Sequence, residues 1–196
     1  MPQSRRYKKK KSAGKAILAW IIVLAILAAG VFVFVSVFYE DAKKKLDEMN
    51  YPRTYSTYVE KAAKDYDLDP ALIYAVIHTE SGFDPKAESG VGAKGVMQMM
   101  PSSFEWLQEQ RGCAGQYTED DLFDPEICID YGSYLLKYFY DYYGTERSAI
   151  AAYNAGFVVS DWLNDTNYSS DGKNLDSIPY PETENYVDKV ESAKEM

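Results

Sequence analysis

The chain has 196 residues, of which 46% are hydrophobic and 15% aromatic. That length suits one domain plus an anchor, and so many large side chains exclude a disordered chain. Seven of the 21 basic residues (Arg5, Arg6, Lys8, Lys9, Lys10, Lys11 and Lys15) fall within residues 1–15, where no acid occurs. The rest of the chain is therefore strongly acidic, which argues against a nucleic-acid-binding face. The single histidine, His78, excludes two-histidine zinc motifs and leaves any Ser-His or Cys-His mechanism dependent on it alone. No metal and no cofactor is expected.

Residues 1–15 read as a basic tail. Ala16 to Phe38 then runs for 23 residues without a charge. As a helix it would span about 34 Å, enough for a hydrocarbon core of about 30 Å. The basic cluster before it predicts a cytoplasmic N-terminus, with everything after residue 38 outside. A cleaved signal peptide is the rival reading. The apolar run is long for one, and no small-x-small site follows it, which favours an uncleaved signal anchor. Residues 39–54 form a stalk, in which Glu40–Met49 is a short charged helix and Tyr51-Pro52 a break.

A compact, mostly α domain is expected over residues 55–196. Tyr55–Tyr66 reads as a helix. Asp69-Pro70 supplies an N-cap and a first-turn proline for the next, which runs to Ser81 and stops at Gly82. Gly90, Gly92 and Gly95 mark an irregular loop. Asp124-Pro125 repeats the start signal for a tyrosine-rich helix ending at Gly144. Ser148 to Gly156 reads as an alanine-rich helix and Glu184–Lys194 as the last one. Tyr131, Tyr134, Tyr138 and Tyr142 recur at helical spacing and suit core packing better than sugar stacking, and Trp106 and Trp162 share that ambiguity. Cys113 and Cys128 lie on the outer side, where a disulfide between them would add about 3 kcal/mol through the unfolded state. Two free buried thiols are the alternative.

The helix from Pro70 holds the informative residue. Ile73, Val76 and Ile77 form an apolar stripe, and Glu80 continues it. A carboxylate on that face is desolvated and sits in the last turn, where the helix dipole is negative. Both effects raise its pKa, as a general acid requires. A buried glutamate satisfied by backbone or tyrosine is the structural alternative. His78 points about 200° away from Glu80 and reads as a surface or packing residue. Asp84 and Glu88, in the following loop, are candidates for a second carboxylate that spacing does not separate.

The stretch ALIYAVIHTESGFDPKAESGVGAKGVMQMMP (Ala71–Pro101) resembles the glutamate–serine and Gly-x-Met-Gln motifs of lytic transglycosylases. In particular, it resembles the soluble lytic transglycosylase-like catalytic domain of glycoside hydrolase family 23. AAYNAG (Ala151–Gly156) and IPYPETENYV (Ile178–Val187) match two further motifs in the family's order. The resemblance implies a mainly helical, goose-type lysozyme-like domain with a substrate groove. It implies cleavage of the β-1,4 bond between N-acetylmuramic acid and N-acetylglucosamine in peptidoglycan, with Glu80 as the one catalytic acid/base and a 1,6-anhydro end as product.

The same resemblance makes Ser81, Met97, Gln98, Tyr153, Asn154 and Glu182 candidate substrate-binding residues. Ser81 would bond substrate or Glu80, and Met97 would line the groove. The Gln98 amide would read the sugar. Tyr153 would orient Glu80 or cover the sugar, and Asn154 would bind an acetamido or backbone group. Glu182 would line a subsite or tie a loop to the core. Peptidoglycan strands and the membrane are the expected partners, with protein partners left open. A hydrolytic muramidase, a non-catalytic wall-binding protein and a cysteine peptidase using His78 are the competing readings.

Overall fold

The computed structural model describes residues 4–50 and 54–195, and side chains at 14, 17–39 and 54–195. The chain divides into two compact units, Met1–Pro52 and Arg53–Met196.

The first unit is one helix, α1 (Ser4–Asn50). Within it Ile17–Tyr39 is long and apolar enough to cross a membrane, and none of it is buried by protein. The charged segment 40–50 continues α1 without interruption. The break expected at Tyr51-Pro52 lies outside the described residues.

The second unit is built from α2 (Ser56–Tyr66), α3 (Pro70–Ser81), α4 (Pro101–Gln110), α5 (Pro125–Tyr143), α6 (Glu146–Ala155), α7 (Val159–Leu163) and α8 (Pro181–Lys194). Short 3-10 turns precede α5 and α7. Among the described residues there is no strand; Lys94 makes isolated antiparallel bridges to Glu88 and Met99. α5 packs against α2 and α6, and α8 closes over α3 and α6.

Local chemistry sets the helix ends. Asp69 and Asp124 each accept a backbone N–H at 2.9 Å, from Ala71 and Glu126, and proline occupies the first turn. Gly82 (φ 59°) and Gly144 (φ 75°) take the left-handed conformation that ends α3 and α5. α6 begins at Glu146, before the expected Ser148, because Thr145 caps it. α8 begins at Pro181, earlier than Glu184, with proline again in the first turn. The stripe of Ile73, Val76 and Ile77 is fully buried, and each such side chain contributes about 1.5–3 kcal/mol. Tyr131 and Trp162 are core residues, Tyr134, Tyr138 and Trp106 are half-buried, and Tyr142 is exposed.

The loop between α3 and α4 is tightly held. Ser81 Oγ donates to the Val96 carbonyl at 2.8 Å. Gln98, at a φ of 47°, donates its amide to the carbonyls of Ala87 and Gly95, both at 3.0 Å. Lys94 is buried and pairs with Asp120 at 3.1 Å and Glu119 at 3.2 Å. A Cβ at Gly95 would collide with the Leu122 carbonyl oxygen, so only glycine fits there.

The disulfide expected between Cys113 and Cys128 is absent, and both residues are free thiols. Their side chains serve different neighbours. Cys128 faces the loop and accepts the Met97 N–H at 3.4 Å, whereas Cys113 meets the Tyr131 hydroxyl at 3.3 Å. Burial pushes the Cys128 thiol up to about 12. A thiol reagent should therefore modify Cys113 in the native protein and Cys128 only after denaturation, and reductant should leave the melting temperature unchanged. A melting transition lowered by reductant would restore the bridge.

Candidate active site

Glu80 stands in the last turn of α3, one turn above the buried Val76 and Ile77. Its carboxylate is mostly enclosed. Tyr186, from the inward face of α8, donates its hydroxyl to Glu80 Oε1 at 2.7 Å. Two influences then compete. Burial is the larger and raises the pKa; the tyrosine hydrogen bond favours the charged form and lowers it. Burial prevails, and Glu80 is pushed from 4.5 up to about 7. No other carboxylate takes part in that balance. Asp84 and Glu88, the two loop acids, are exposed, and Asp84 turns back to accept the Lys86 N–H at 2.9 Å.

Tyr153, on α6, is near enough to Glu80 to feel its charge. Its hydroxyl donates to the Met97 carbonyl at 2.9 Å, so it anchors the loop instead of bonding Glu80. Burial first, then the Glu80 charge, holds Tyr153 well above the ordinary tyrosine range. The same two causes act in the same order on Tyr186. Both phenols thus stay protonated, as donors must.

The other predicted residues divide by what they touch. The Ser81 hydroxyl is engaged with the carbonyls of Val96 at 2.8 Å and Ile77 at 3.3 Å. The Met97 side chain is fully buried against α5, where a Cβ on Gly132 would come within 2.5 Å of its sulfur; it does not line a groove. The Gln98 Nε2 is committed to two loop carbonyls. Asn154 is exposed, and its Oδ1 accepts the Thr183 hydroxyl at 2.8 Å, joining the end of α6 to the start of α8. Glu182 is exposed in the first turn of α8. His78 lies against Phe83, with ring centroids 6.2 Å apart.

Sequence reasoning missed Tyr186. It falls inside the Ile178–Val187 motif, but Tyr186, Val187 and Val190 read as an ordinary buried stripe. Its partner lies 106 residues earlier in the chain.

Chemically, the site offers one carboxyl that is about half protonated near neutral pH, held by a hydroxyl donor beside a loop fixed by Ser81, Gln98 and Tyr153. That suits a group that gives up a proton and then takes one back.

The chain is similar to several known proteins. The transglycosylase SLT domain family matches residues 57–175. The soluble lytic murein transglycosylase of Escherichia coli (strain K12) is 32% identical over 146 residues, covering 73% of this chain and 23% of that protein. The membrane-bound lytic murein transglycosylase C of Actinobacillus succinogenes is 35% identical over 113 residues, 53% of this chain and 32% of that one. Among solved structures, the 70 kDa soluble lytic transglycosylase SLT70 of Escherichia coli superposes with a TM-score of 0.67 at 28% identity, covering 75% of this chain and 24% of that one. An inactive mutant of lytic transglycosylase Slt from Pseudomonas aeruginosa gives a TM-score of 0.66 at 30% identity, covering 76% and 24%. The chain thus spans about a quarter to a third of the length of these relatives. The family match covers more than half of the chain and includes the glutamate of α3, and the protein belongs to the transglycosylase SLT domain family.

Proposed function

We propose that the protein is a membrane-anchored lytic transglycosylase. It cleaves the β-1,4 bond between N-acetylmuramic acid and N-acetylglucosamine of peptidoglycan and leaves a 1,6-anhydro-muramic acid end. The observation that carries this reading is the lone, mostly buried Glu80, raised to about 7 and held by Tyr186. As acid, Glu80 protonates the leaving glycosidic oxygen. The N-acetyl group of the substrate meets the developing charge at the sugar, which suits a site with one engaged carboxylate. Glu80, now a base, takes the proton from the C6 hydroxyl, and the anhydro ring closes without water.

The anchor is Ile17–Tyr39. The basic residues preceding it keep the N-terminus in the cytoplasm under the positive-inside rule, so the catalytic unit acts outside. The membrane-bound relative from Actinobacillus succinogenes supports anchoring. Tyr153 and Asn154 of the Ala-Tyr-Asn-Ala-Gly motif, with Glu182, flank the sugar path. Ser81, Met97 and Gln98 act through the loop they hold.

Digestion of purified peptidoglycan by the full chain should release fragments ending in 1,6-anhydro-muramic acid, and Glu80→Gln should release none while keeping its fold. Reducing ends one water heavier, read by mass spectrometry, would make the protein a hydrolytic muramidase instead.

The buried carboxyl also links stability to pH. Its folded pKa lies above the unfolded 4.5, so the contribution is fully present below about pH 4.5 and lost as pH rises through about 7. Glu80→Gln escapes that loss. It should unfold with about 3 kcal/mol more stability than the parent at pH 8, by chemical denaturation, and with parental stability at pH 4.

Tyr186→Phe removes the hydrogen bond that favours the carboxylate, so the alkaline limb of the rate profile, near pH 7 in the parent, should move upward. The maximal rate should fall about tenfold through lost orientation. An unmoved limb would separate Tyr186 from the titration of Glu80.

A further inference from the structure

An open cavity of about 400 Å³ lies against α5, away from Glu80. α5 divides the two regions. Cys128 and Gly132 face Met97 and the catalytic loop, whereas Asp130 and Tyr131 line the cavity. Tyr58 from α2, Tyr117 from the loop after α4, and Asp124 and Glu126 from the start of α5 complete its main wall.

Part of this wall is rigid. Tyr66 donates its hydroxyl to Asp130 Oδ1 at 2.5 Å, and Arg111 Nη1 donates to Oδ2 at 2.6 Å. The Arg111 guanidinium also lies over the Tyr131 ring, 4.5 Å from its centroid. Tyr131 in turn packs edge-on against Tyr117, with centroids 6.0 Å apart. These contacts engage both oxygens of Asp130 and a face of the buried Tyr131, so the two residues form a fixed floor and leave the ligand contacts to Tyr58, Tyr117 and Glu126.

The chemistry of the wall selects a ligand. Ring faces take apolar C–H surfaces, and carboxylate oxygens accept from hydroxyl and amide donors. The volume falls in the range of small-ligand sites, roughly 300–1,000 Å³. Lys61 in this wall pairs with Asp65 at 2.9 Å, and Asp130 with Arg111 at 2.6 Å, so much of the local charge is already neutralised, which favours a neutral, many-hydroxyl ligand over an ion. We propose that this cavity is a second saccharide site, one that holds N-acetylated sugar units of a glycan strand while another stretch lies at Glu80. The inference rests on the reading that wall glycan is the substrate. Engagement at two points raises the effective concentration of strand at the catalytic carboxyl.

The test uses the full chain in lipid nanodiscs carrying Glu80→Gln, so that nothing is cleaved. Two cavity variants are compared with it: Tyr58→Ala with Tyr117→Ala, which strips the ring faces, and Ile127→Trp, which fills the space without removing a ring. The probes are tetra-N-acetylchitotetraose by calorimetry and purified sacculi by pelleting. Both variants should bind one equivalent of tetrasaccharide fewer than the parent and pellet with sacculi about fivefold less well. With Glu80 intact, they should still cleave a short soluble strand at the parental rate. Unchanged stoichiometry in both variants overturns the proposal, as does an equal loss of soluble-strand cleavage, which marks a structural role. A parent that binds only a free amine-bearing stem peptide there also overturns it. Stoichiometry is read without turnover, so failure of the lytic assignment and failure of this site remain distinguishable.

Discussion

The bond from Tyr186 to Glu80 couples the two halves of the catalytic unit, and its setting is a balance between desolvation and donation. Moving a carboxylate among Val76, Ile77 and the inner face of α8 disfavours its charge. One phenol hydroxyl offsets part of that penalty. Without the donor, the carboxyl would be pushed further up and be ionised less often at neutral pH. Without the burial, it would ionise near 4.5 and be a poor acid at neutral pH. The packing of α8 over α3 provides both at once.

The surrounding loop meets the same requirement by other means. The loop between α3 and α4 carries Gly90, Gly92 and Gly95, and Ser81, Gln98, Tyr153 and Cys128 each bond a backbone group of it, at Val96, Ala87 and Met97. Polar side chains beside Glu80 are not thereby ligand contacts. Several of them hold main chain, and the main chain then shapes the surface beside Glu80. The left-handed conformation of Gln98, uncommon for a residue with a side chain, is sustained by the two carbonyls that its amide satisfies.

Much of this was legible because it is local. Asp-Pro starts, glycine stops and the stripe ending in Glu80 are written within a dozen residues, and α3 and α5 have the expected ends. α4 was not anticipated. Its sequence PSSFEWLQEQ is mostly polar, and only Phe104, Leu107 and the tethered Gln108 turn inward. The pairing of Cys113 with Cys128 was misread because spacing gives a loop length and not a direction. Cys128 and Tyr131 sit three residues apart on α5, yet one faces the catalytic loop and the other faces Cys113. Tyr186 escaped notice for a related reason, since a buried aromatic in a helix stripe carries no mark of what its hydroxyl will meet.

The separation of Glu80 from Tyr186 by 106 residues has a consequence for biogenesis. In synthesis from the N-terminus, α3 emerges well before α8. Contacts of such long sequence span are the last to be rewarded in folding. Until α8 docks, the carboxyl of α3 lacks both the tyrosine that orients it and the cover that raises its pKa. A nascent or incompletely folded copy is therefore a poor proton donor at neutral pH. Competence as a proton donor at neutral pH arrives only when α8 has closed over α3.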